Sequence, residues 1–125
     1  MITGTHFLLY SAKPDADRAF LRDVLGFASV DAGRGWLIFA LPPSEIAVHP
    51  ADEGSAAKAT DAVVGAALYL MCDDLSSTMR SLKAKNASFG PIEEARWGTV
   101  TTLALPSGAK VGLYQPKHPT AVDPR

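Results

Sequence analysis

Residues 5–10 form a short β-rich run in which His6, Leu8 and Tyr10 share one face. The period then changes. Ala16, Ala19, Phe20 and Val24 recur at spacings of three and four, the stripe of an amphipathic helix. Pro14 suits the first turn of that helix, where its missing N–H has no helical partner. Asp15 and Asp17 fall at the positive end of the helix dipole. Gly26 closes it, at a position where a left-handed cap costs least. Short strands are predicted over 28–32, 36–41 and 45–49. Gly33 and Gly35 break the first pair, and Pro42-Pro43 breaks the second.

Residues 50–61 are small, polar and alanine-rich, as expected of a surface connection that could fold over a site. The order then repeats. A strand is predicted over 64–72. Asp73-Asp74 caps a helix over 75–85, with Leu75, Met79 and Leu82 as its apolar stripe. Asn86 takes the place after the helix that Gly26 holds in the first half. Strands follow over 89–93, 99–105 and 110–115, the last two joined by a turn at Pro106-Ser107-Gly108. The prolines beyond residue 115 mark a surface tail. His6 thus corresponds to Ala67, Phe27 to Phe89 and Ala47 to Gly112, at a near-constant offset. Internal repetition of this kind fixes an architecture more firmly than a single motif. The expected organisation is α+β, with two βαβββ modules over 1–50 and 63–116, a linker over 51–62 and a tail over 117–125, all in one structural domain.

Composition narrows the function. Apolar residues make up 47% of the 125 positions and charged residues 20%, the balance of a globular domain with its own core. A net charge of −1 leaves no basic surplus for phosphate contacts, so nucleic acid is not an expected partner. Apolar runs such as 63–72 are too short to span a bilayer, and 1–10 lacks a basic leader region. No membrane is expected, and the cytoplasm is the expected location. Cys72 stands alone, which removes a disulfide framework or a zinc knuckle. Its neighbours Asp73 and Asp74 would disfavour a thiolate. Glu93 and Glu94 are adjacent, so on a strand they point apart and make a poor acid/base pair.

The run His6-Phe7-Leu8-Leu9-Tyr10-Ser11, followed by Asp17-Arg18-Ala19-Phe20-Leu21-Arg22-Asp23-Val24-Leu25-Gly26-Phe27, resembles the opening of vicinal oxygen chelate proteins. That superfamily includes glyoxalase I, bleomycin-resistance proteins and extradiol dioxygenases. Tyr69-Leu70-Met71-Cys72-Asp73-Asp74-Leu75 resembles its second strand-to-helix passage. Trp97-Gly98, Pro106-Ser107-Gly108 and Gly112-Leu113-Tyr114-Gln115-Pro116 resemble its closing strands. The resemblance implies a half-open eight-stranded barrel with the helices outside, and a homodimer. It also implies four inward positions for metal ligands, on the first and last strands of each module. One fold here hosts unrelated chemistries, so the resemblance does not fix an activity.

Carried onto this chain, the four ligand positions hold His6, Ala47, Ala67 and Gly112. His6 alone has a donor atom, so neither a metal nor another cofactor is expected. Glu45 and His49 share a face with Ala47, but four residues of strand separate them by roughly 13 Å, too far for both to reach one ion. A shift of one residue would place Ile46 there, which is equally donor-free. The expected site is therefore an open cup lined by His6, Leu8, Trp36, Ile38, Ala47, His49, Ala67, Tyr69, Trp97, Thr99, Thr101, Gly112 and Tyr114. Apolar walls with few polar groups suit a small organic molecule, and the Trp and Tyr faces suit flat or cationic ones. The favoured reading is metal-independent binding of such a molecule in the manner of a resistance protein. The alternative is a lyase, dioxygenase or isomerase that uses His6 with a divalent metal or as an acid/base. A third reading is a non-catalytic assembly module in which only a dimer surface matters. Catalytic residues are not assignable from the sequence.

Overall fold

The structure, a computed structural model, describes residues 6–47 and 67–121. Helix α1 (Pro14–Asp23) forms where the apolar spacing places it, with Pro14 in its first turn. Gly26, at φ 74°, turns the chain out of it. Strands β1 (Ser29–Asp31) and β2 (Leu37–Phe39) then pair antiparallel. The Asp31 carboxylate accepts from the Gly33 N–H at 2.7 Å and from the Gly35 N–H, which closes the turn between them.

The second half keeps the predicted order: β3 (Tyr69–Met71), α2 (Leu75–Lys83), β4 (Glu93–Glu94), β5 (Gly98–Ala104) and β6 (Lys110–Pro116). Asp74 caps α2, accepting from the Ser77 N–H at 3.1 Å. Asn86 adopts φ 67° just past its end. The four strands lie in the order β3-β6-β5-β4, with β3 parallel to β6 and the other pairs antiparallel.

The core lies on one face of this sheet. Leu103, Leu105 and Val111 are buried there with Phe20, Val24 and Leu25 from α1 and its exit packed against them. Leu75 and Met79 of α2 pack with Leu113 on the same face. A polar clamp adds to this apolar contact. Asp17, buried on α1, accepts from the Ser107 N–H at 2.9 Å and from the Ser107 hydroxyl at 2.7 Å. Both oxygens of a buried carboxylate are thus satisfied, as burial of a charge demands. Among the described residues, no helix is long and apolar enough to cross a membrane.

The first half departs from expectation. Eight strands are expected, and six occur among the described residues. Residues 6–10 and 45–47, expected within the first and fourth strands, carry no strand pairing there. Alternation chooses a face for a segment, but a strand exists only with a ladder partner, and β1 and β2 are three residues each. The described residues form a two-stranded and a four-stranded sheet.

The tail, expected on the surface, is tied down over residues 117–121. The Lys117 N–H donates to the Trp97 carbonyl at 2.9 Å, and its ammonium pairs with Glu94 at 2.7 Å. The Ala121 N–H donates to Glu45 at 2.7 Å.

Candidate functional site

Strand register decides which side chains meet on the face away from the helices. Tyr69 lies beside Gly112, Gly112 beside Thr102, and Tyr114 beside Val100. Tyr69, Gly112, Tyr114, Val100 and Thr102 therefore share that face, while Thr101 sits opposite Leu113 on the core face. Trp97, just before β5, joins the tyrosines. Its ring centroid is 5.2 Å from that of Tyr114 and 5.9 Å from that of Tyr69, and all three rings meet edge to face. Gly112 makes room for this cluster. A Cβ there would run into the Tyr69 ring.

A cavity of about 500 Å³ opens beside these rings. Tyr69 and Trp97 wall it and stay 47% and 40% exposed, so their surfaces are available to a ligand. Glu93 and Lys110 bring one charge of each sign to the lining, and Thr102 joins them.

Tyr114 lies beneath the other two rings, buried. Its hydroxyl is 3.1 Å from His118 Nε2, and the two rings stack. Loss of solvation, and then the negative charge of Glu45, push its phenol above the ordinary value of 10.0. A lone histidine in a proline-rich tail gives no sequence signal of a partner four residues back on a strand. Cys72 donates to the Tyr114 carbonyl at 3.5 Å, and burial, more than the nearby Asp73 and Asp74, pushes its thiol up. That disfavours a nucleophilic role.

The residues expected to line one cup divide between two cavities. Ala67, Tyr69, Trp97, Thr101 and Gly112 border the aromatic cavity. His6, Leu8, Trp36 and Ile38 border a second one of similar volume. Ala47 is exposed and borders neither. Thr99 turns to the surface and donates to Glu94 at 2.9 Å, and the Thr101 hydroxyl is taken by the Gly90 carbonyl at 2.9 Å. His49 lies outside the described residues. Glu45 serves the tail rather than a shared ligand set. The floor expected to be open at Gly112 is instead covered by the Tyr69 ring.

His6 borders the second cavity, and Ala67 and Gly112 border the aromatic one. Among the described residues, no three of His, Cys, Asp and Glu come together in a group that could hold an ion.

With this geometry, the fold is that of the vicinal oxygen chelate superfamily. No family model matches the chain, and no curated protein matches it by sequence. Solved structures match it closely in extent. The antibiotic-binding protein TnmS3 from Streptomyces sp. CB03234 is 20% identical, with a TM-score of 0.58 over 94% of this chain and 100% of that one. A lactoylglutathione lyase from Agrobacterium tumefaciens is 20% identical, with a TM-score of 0.61 over 90% and 92%. A glyoxalase/bleomycin resistance protein/dioxygenase superfamily member from Sphaerobacter thermophilus is 19% identical, with a TM-score of 0.57 over 91% and 98%. A binding protein and a lyase thus share the fold, and the fold does not choose between them.

Proposed function

We propose that this protein binds a small organic molecule without a metal ion, in the cavity walled by Tyr69 and Trp97. One observation carries the reading: two half-exposed aromatic rings, braced by a third, stand over a cavity of about 500 Å³. Ligand sites run roughly 300–1,000 Å³ and combine apolar walls with a few polar groups. Rings held in place by one another lose little freedom when a ligand stacks on them, so less of the binding energy goes into ordering. Glu93, Lys110 and Thr102 supply the polar groups that orient it. Retention of one donor among four ligand positions supports metal independence, and the antibiotic-binding protein of the same fold supports the ligand class. The test is a titration with planar aromatic probes of the naphthalene and acridine type. Saturable binding that is unchanged by chelator and lost in Trp97→Ala supports the proposal. Binding or turnover that requires a divalent ion and His6 favours the enzyme reading instead.

The protein acts as a homodimer in this proposal. Tyr10, Val30 and Ile46 are 88%, 67% and 90% exposed in the first half, large apolar side chains of the kind a second copy would cover. Light scattering coupled to size exclusion measures this directly. A monomer at micromolar concentration would refute the dimer while leaving the binding site intact.

A further inference from the structure

The second cavity has a chemistry of its own. It lies between α1, β2 and the segments 6–11 and 41–44, and it shares Leu9, Leu68 and Val111 with the aromatic cavity as a common wall. Its surfaces are chiefly hydrocarbon, among them Leu8, Leu21, Phe27 and Phe39. Of the described residues that line it, Arg18 is the only arginine or lysine. The Arg18 guanidinium carbon lies 4.6 Å from the centroid of the Trp36 ring. Stacking of this kind holds the guanidinium plane and leaves its N–H edge turned to a partner.

The carboxylates nearby leave that edge available. Asp17 borders the cavity, but both of its oxygens accept from Ser107. Asp15 contacts Arg18 through Nη1 alone, at 3.0 Å, and its side chain is 99% exposed. An ion pair so open to water exchanges readily for a better partner. A ligand carboxylate, backed by hydrocarbon and by Trp36, is such a partner, because the planar fork of Arg matches two carboxylate oxygens.

We infer that this cavity is a binding site for an amphipathic carboxylate, with its chain against the hydrocarbon walls and its head group on Arg18. The site is separate from the aromatic cavity and does not depend on the reading given for that one.

Decanoate is the probe, with decyltrimethylammonium as the control of opposite charge, both below micelle-forming concentration and titrated calorimetrically into the full chain. Decanoate is expected to bind saturably and the ammonium at least about tenfold more weakly, the scale of a lost charge-assisted hydrogen bond. Arg18→Gln is expected to weaken decanoate by a similar factor. Asp15→Asn, a change at an exposed side chain, is expected to tighten it by freeing the guanidinium. Trp97→Ala is expected to leave it unchanged. Absence of saturable binding, equal binding of the ammonium, or loss of binding in Trp97→Ala would overturn the inference. If Arg18→Gln lowers the melting temperature, Asp15→Asn decides alone: tighter binding supports the site, and equal or weaker binding overturns it.

Discussion

Tyr114 donates its phenolic proton to His118, and the backbone sets that direction. His118 Nδ1 lies 2.8 Å from the Pro119 carbonyl, which can only accept. The proton of the neutral imidazole therefore belongs on Nδ1, and Nε2 is left as the acceptor for the Tyr114 hydroxyl at 3.1 Å. The assignment follows from the hydrogen-bond network. It joins the tail to the underside of the aromatic cluster that walls the candidate site.

The raised phenol of Tyr114 makes stability depend on alkaline pH. The unfolded chain releases this proton near the ordinary value of 10.0, while the folded chain holds it to higher pH. Deprotonation thus favours the unfolded state first. The contribution is fully present below 10.0 and is lost as pH rises through the folded value. Denaturant melts across the alkaline range are expected to show this decline, and Tyr114→Phe is expected to flatten part of it. An identical decline in the variant would show that another group is responsible.

The Asp17–Ser107 clamp couples positions ninety residues apart in the chain. Asp17→Ala leaves the Ser107 N–H and hydroxyl without their acceptor and is expected to cost about 3 kcal/mol in urea melts. Ser107→Ala keeps the backbone bond and is expected to cost about 1 kcal/mol. The double variant should cost clearly less than the two single losses combined, because the pair shares one interaction. Strict additivity would show that the clamp contributes nothing as a pair.

Gly112 and Tyr69 form a matched pair of small and large. Gly112→Ala drives a Cβ into the Tyr69 ring and is expected to cost roughly 1–3 kcal/mol through overpacking. The same change in a Tyr69→Ala background is expected to cost much less, since the obstructing ring is gone. Equal losses in both backgrounds would place the strain in the strand and not in the ring.

The parts of the fold legible in the sequence are those with an intrinsic period. Phe20 on α1 and Val24 at its C-cap, and Leu75 and Met79 on α2, announce their helices and bury the faces they announce. Strands β5 and β6 were legible from their β-rich runs around a Pro-Ser-Gly turn. Register was harder. Thr99 and Thr101 were expected to line the pocket with Tyr69 and Tyr114; Thr101 borders the cavity, but pairing of Val100 with Tyr114 puts Val100 and Thr102 on the face of those rings. A shift of one residue exchanges every side chain between faces, and the sequence of one strand does not reveal its partner's phase. The residue types at the ligand positions were readable directly, because Ala and Gly have no donors in any fold. What occupies the space above Gly112 was not, because the Tyr69 ring reaches it through a rotamer. His118 was invisible for a similar reason, since its partner is chosen by the path of the tail.

Metal-independent binding against Tyr69 and Trp97 can be tested directly. The most direct measurement is a fluorescence titration of untagged, chelator-treated protein with an acridine-type probe, run on the native chain, Trp97→Ala and His6→Ala. Saturable binding is expected in the native chain, with loss of it in Trp97→Ala and no change in His6→Ala or on adding nickel, zinc, manganese or iron(II). Binding that appears only with one of those ions and vanishes in His6→Ala would contradict it.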